Sequence, residues 1–217
     1  MIRYQKSVRY FAICLSAVAG YVDAVGFIAL GGFFVSFMSG NSTRLGVGLA
    51  GGSADAAIAG GLIVSFVLGV VVGSVTGSVA GARRPGAILC LTACLLMAAS
   101  VLALANVRPA ALALVAGAMG AKNTVFERDG EVSIGLTYMT GTLVKLGQRV
   151  AAALLGNGDA LGWLPYLLLW LGLVSGALLG AAAYPLLGLQ SLWLAAGVEL
   201  ALAGLSLRLA WRMDPAP

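Results

Sequence analysis

Met38-Ser39-Gly40-Asn41-Ser42-Thr43-Arg44-Leu45-Gly46 and Met139-Thr140-Gly141-Thr142-Leu143-Val144-Lys145-Leu146-Gly147 stand 101 residues apart in one chain of 217 residues. Met, Ser or Thr, Gly, a cation, Leu and Gly recur in register. Upstream, Gly20-Tyr21-Val22-Asp23 matches Gly120-Ala121-Lys122-Asn123, setting a carboxylate against a carboxamide. Downstream, Gly69, Gly73 and Gly77 match Gly172, Gly176 and Gly180 at an offset of 103. Three features in the same order in both halves mark an internal repeat. The competing explanation is coincidence in a chain rich in Gly, Ala and Leu, and the nine-residue match with both cations argues against it.

The surroundings of these motifs are apolar: 60% of residues are hydrophobic, 10% are charged and the mean hydropathy is +1.00. A soluble domain carries roughly a quarter of its residues as charges, so this chain cannot cover a globule with polar atoms. It reads as a single membrane domain over 1–217, with halves at about 8–105 and 109–212. A crossing helix needs about 20 apolar residues. Such runs extend from Val8 to Gly31, interrupted by Asp23; from Ile58 to Ala82; from Ala87 to Ala105; from Pro109 to Phe126, containing Lys122 and Asn123; and across Ala160 to Val198, where Gly188-Leu189-Gln190 separates two crossings near 162–187 and 191–211. The predicted fold is all-α: a polytopic bundle of about six transmembrane helices with two additional segments, 33–51 and 132–156, that are short, re-entrant or interfacial.

Charge placement sets the orientation. With six crossings and a cytoplasmic N-terminus, Arg3, Lys6, Arg9, the Arg83-Arg84 turn, Arg208 and Arg212 all face the cytoplasm, as the excess of cations in inner loops requires. Eight crossings would turn Arg83-Arg84 outward. Three crossings per half make the second half enter from the opposite side, so the two halves form a 3+3 inverted repeat, an arrangement typical of channels and secondary transporters.

The same residues carry a resemblance. Gly20-Tyr21-Val22-Asp23-Ala24 leading to Met38-Ser39-Gly40-Asn41-Ser42-Thr43, then Met119-Gly120-Ala121-Lys122-Asn123 leading to Tyr138-Met139-Thr140-Gly141-Thr142, resemble the YoaK-type bacterial membrane proteins, a family built on a domain of unknown function. The resemblance covers nearly the whole chain and implies the bacterial inner membrane, but neither a substrate nor a catalytic role. Its Gly-x-Gln-Asn pattern has Gln where this chain carries Lys122.

An ionisable residue inside a span is costly and usually faces a cavity or a partner. Asp23 is therefore the first candidate site residue. It binds a solute or cation, pairs with Lys122, Lys145 or Arg44, or caps a helix that breaks before Gly26. Asn123, its counterpart, can donate and accept. Ser39, Asn41, Ser42 and Thr43 read as a capped helix start, with Gly40 allowing close approach. If the second start at Thr140, Gly141 and Thr142 meets the first, two helix N-termini converge, with Arg44 and Lys145 one turn on, to favour an anion or a polar neutral solute. Otherwise both are interfacial helices whose cations reach the headgroups. Glu199 is a further intramembrane candidate.

The remaining features carry little chemistry. The glycine rows read as close helix packing, and Glu127, Arg128, Asp129 and Glu131 as a solvated loop. Trp163, Trp170, Trp193 and Trp211 fit interfacial or packing roles. Cys14, Cys90 and Cys94 lie in apolar runs and read as small buried hydrophobes. There is no histidine, and no phosphate-binding loop or serine elbow, so neither an enzyme nor an ATP-driven pump is expected, and no cofactor or metal. The net charge of +5 is scattered, which argues against nucleic acid. The expected function is a channel or secondary transporter of a small polar solute or ion. The alternative is a membrane-embedded interaction or assembly protein without transport. The lipid bilayer is the expected partner, and a homo-oligomer is left open.

Overall fold

The computed structural model describes residues 5–128 and 130–209, so Arg3, Asp129, Trp211 and Arg212 lie outside the described residues. It is helical apart from one two-residue strand pair. In chain order the elements are α1 (Lys6–Ala29), α2 (Met38–Gly51), α3 (Asp55–Ala80), α4 (Arg84–Leu104), α5 (Arg108–Lys122), β1 (Glu127–Arg128), β2 (Glu131–Val132), α6 (Met139–Leu154), α7 (Leu164–Leu187) and α8 (Leu192–Leu209). The two repeated segments become helices that start on their matching residues, Met38 and Met139.

Local chemistry explains the punctuation. Proline stands in the first turn of α4, α5 and α7, where its missing N–H has no intrahelical partner to lose. Gly81 and Gly188 take left-handed φ values of 55° and 56° at the corners that follow α3 and α7, and a short 3-10 turn leads from each into the next helix. Three helical stretches are long and apolar enough to cross a membrane: Lys6–Ala29, Asp55–Leu104 and Leu164–Leu207. The 50-residue stretch would measure about 75 Å as a rod, more than twice a bilayer core, but the Gly81 corner folds it into α3 and α4. Gly188 folds the other stretch in the same way.

The helices pack in recurring pairs. α1 lies along α7, α3 along α5 and α4 along α8, while α2 leans on α3 and α6 on α7. Glycines set the closest approaches. A Cβ on Gly176 would sit 1.7 Å from the Ala17 carbonyl oxygen, and one on Gly69 would sit 1.9 Å from that of Gly117. Small residues at such crossings bring backbones into van der Waals contact, which is what drives association where lipid is as apolar as leucine. One core cluster gathers Val18, Val22, Leu62, Leu96, Met119 and Leu192; a second, towards the start of α1, gathers Phe11, Leu15, Ile88, Phe126, Leu136 and Leu169. The outer face of α3 is apolar as well, with Val64, Val67, Leu68, Val71, Val72 and Val75 all exposed, as suits a surface solvated by lipid.

Several expectations need correction. Cys14, Cys90 and Cys94 are exposed on the outside of the bundle rather than buried, because each falls on the helix face turned from the core. α1 does not break before Gly26; it continues to Ala29. α5 ends at Lys122 rather than near Phe126, since successive turns, Val125 N–H to the Lys122 carbonyl and Glu127 N–H to that of Thr124, lead into the hairpin. Neither α2 nor α6 has a side-chain cap. The Ser42 and Thr43 hydroxyls instead turn back to the carbonyls of Met38 and Ser39, at 2.8 and 3.2 Å.

A cavity between two helix starts

The chain between α1 and α2 passes Gly31 and Gly32, with φ of 62° and 105°, and is then gripped from both sides. Asp23 Oδ1 accepts the N–H groups of Val35 at 3.2 Å and Ser36 at 2.9 Å. Asn41, fully buried, takes the Phe34 N–H at 3.1 Å and donates to the Phe34 carbonyl at 2.6 Å. A carboxylate accepts without donating and a carboxamide does both, so each side chain matches the backbone groups it meets. Asp23 therefore meets neither a cation nor a helix break.

The segment before α6 is held in a related way. Asn123 accepts the Thr137 hydroxyl at 3.0 Å and donates to the Met119 carbonyl at 2.9 Å. The Ser16 hydroxyl lies 3.2 Å from the carbonyl oxygens of both Leu136 and Leu169, tying this segment to α1 and α7. Thr142 is buried and donates to the Tyr138 carbonyl at 3.2 Å.

Between the two starts lies a cavity of 410 Å³. Ser36, Met38 and Ser39 line it from one side and Thr137, Met139, Thr140 and Gly141 from the other. Phe37, Tyr138 and Phe66 complete the wall. Of the eleven side chains singled out from sequence, Ser39, Thr140 and Gly141 face this cavity. Asp23 and Asn123 stand behind its wall, bound to Ser36 and Thr137. Asn41 and Thr142 are buried supports, and Gly40 lies against the rings of Phe34 and Phe37. Thr43 is turned back on its own helix, Arg44 stacks over the Phe33 ring at 4.5 Å, and Lys145 is exposed. Ser36 and Thr137, like Phe37 and Tyr138, align at the same offset of 101, so carrying the repeat two residues upstream would have found them.

Two ion pairs among the described residues lie outside the cavity. Lys122 and Glu199 bind each other inside the bundle. Arg84 reaches Glu127 at 3.1 Å and the Thr124 carbonyl at 3.3 Å, while Ser74 donates to Glu127 at 2.6 Å. The guanidinium occupies the space left by Gly77, so Glu127 is a structural contact rather than part of a solvated loop.

Comparison with known proteins agrees with the membrane character of this architecture. A family model described as a protein of unknown function (DUF1275) matches residues 11–205. The chain is similar to a UPF0700 transmembrane protein of Rhizobium meliloti (strain 1021), with 34% identity over 179 residues, covering 82% of this chain and 77% of that protein. No solved structure matches it.

Proposed function

The chain belongs to the DUF1275 family, in keeping with its YoaK-type resemblance, and for this membrane protein we propose the role of a channel or secondary transporter, passing a small polar solute or ion through the cavity between α2 and α6. The observation that carries this is the cavity itself: both repeated segments line it, and their starts point into it. Sites built where interrupted helices meet are a recurring device of solute-transporting membrane folds.

In this proposal α1, α3, α4, α5, α7 and α8 make six crossings of the inner membrane with both termini in the cytoplasm, and α2 and α6 enter only part way. The lengths support it: 14 and 16 residues make α2 and α6 about 21 and 24 Å long, short of a core of about 30 Å. α5 is also short at 15 residues, but it is enclosed by α3 and α4 and need not match the lipid.

The inverted repeat is supported by contacts that recur with the halves exchanged. Gly69 meets Gly117 and Gly73 meets Ala121, as Gly176 meets Ala17 and Gly180 meets Tyr21. Gly81 and Gly188 turn equivalent corners. By these contacts Gly69 corresponds to Gly176, one helical turn beyond the match drawn from glycine spacing.

The test is solute entry into proteoliposomes holding the full chain, with Gly141→Trp as the blocking variant. A Cβ at Gly141 meets nothing within 4 Å and Gly141 lines the cavity, so a bulky side chain there is expected to obstruct it, and an unchanged Tm confirms that the fold is kept. Flux in the wild type that is lost in Gly141→Trp supports the proposal; equal flux in both overturns it.

A further inference from the structure

Resting on the proposal that the cavity between α2 and α6 is a solute path, we propose that its solute is an uncharged molecule bearing hydroxyl or amide groups, and neither an anion nor a metal cation. The wall determines this. Among the ten lining residues there is no carboxylate, ammonium or guanidinium. Asp23 accepts two backbone N–H groups at Oδ1, Arg44 stacks on Phe33, Lys145 is exposed, and Lys122 is bound to Glu199. An ion entering would lose its hydration with no counter-charge to replace it, at a cost well above that of a neutral polar group.

Hydrogen-bond polarity separates the neutral solute from the anion. A hydroxyl has one hydrogen and two lone pairs. The Thr137 hydrogen points to Asn123, so that oxygen offers the cavity only lone pairs. An anion would be repelled there. On the same wall the hydroxyls of Ser39, Tyr138 and Thr140, and the backbone N–H groups of Ser39, Thr140 and Gly141, have no acceptor among the described residues, and these are donors. A wall that both donates and accepts matches a solute that does the same. Phe37, Phe66, Met38 and Met139 supply apolar surface for its carbon skeleton, and 410 Å³ falls within the usual range of small-molecule sites, about 300–1,000 Å³.

The experiment uses the full chain in proteoliposomes with five probes: glycerol, erythritol and urea, followed by light scattering, and formate and potassium, followed by a potential-sensitive dye. At least one uncharged probe enters faster than into empty liposomes, while formate and potassium do not. Ser39→Ala with Thr140→Val slows that entry about tenfold, the scale of one or two lost hydrogen bonds. Its Tm stays at the wild-type value, because neither hydroxyl has a partner among the described residues. Formate or potassium passing instead, and blocked by Gly141→Trp, overturns the solute class but leaves the path standing. No probe entering faster than into empty liposomes overturns both.

Discussion

Lys122 on α5 and Glu199 on α8 form an ion pair whose side chains are each 1% exposed, and the second carboxylate oxygen of Glu199 has no hydrogen-bond partner among the described residues. Removing one partner leaves a buried charge uncompensated, whereas replacing both with apolar groups removes the desolvation cost along with the attraction. Lys122→Met and Glu199→Leu are each expected to destabilise the protein by about 3–5 kcal/mol, and the double variant to recover most of that loss. A double-mutant cycle of unfolding in detergent measures the coupling; additive effects would contradict it.

Asp23 holds the segment before α2 through two backbone N–H groups. Asp23→Ala strands both donors in a half-buried site, at about 1–3 kcal/mol each. Asp23→Asn keeps an acceptor oxygen and is expected to cost less. Both variants loosen the cavity wall, so glycerol entry should fall in the order wild type, Asn, Ala. Unfolding midpoints and entry rates that do not share this order would count against a positioning role.

Arg84 and Glu127 clamp the α3–α4 corner to the hairpin after α5. Their side chains keep 18% and 16% of their exposure, so Glu127→Ala is expected to cost only about 1 kcal/mol. In the proposed six-crossing topology both clamped regions face the cytoplasm. With the native cysteines replaced, Arg83→Cys and Glu131→Cys should react with an impermeant maleimide only from the cytoplasmic side, and labelling from opposite sides would rule out this topology.

Gly176 presses on the Ala17 carbonyl, whereas a Cβ on Gly46 meets nothing within 4 Å. Gly176→Leu should therefore drive α1 from α7 and abolish monodisperse protein in detergent. Gly46→Ala should be neutral or stabilising, by up to about 1 kcal/mol, because alanine is the better helix former. Size-exclusion profiles and Tm values distinguish the two.

Much of this was legible in the chain. Gly, Pro and the nine-residue match located the corners and the starts of α2 and α6, because turns, helix starts and apolar runs are local properties that depend on neighbouring residues. The cavity wall was legible in part: Ser39, Thr140 and Gly141 followed from the repeat, and Ser36 and Thr137 were within reach two positions upstream. Lys122 with Glu199 and Arg84 with Glu127 were not, since no spacing rule links residues 77 or 43 positions apart that face each other only after helices pack.

Composition and pattern alone were enough to make this an all-helical membrane protein, because burying so many apolar groups with so few charges leaves lipid as the only solvent. Packing settled how those few charges are used. The rotation of each helix, imposed by glycines pressed against neighbouring carbonyls, turned Asp23 onto a backbone loop, sent Lys122 to Glu199 and left Ser39 and Thr140 lining the cavity. Rotation follows from close contacts summed over the whole bundle, and no local stretch of sequence contains them.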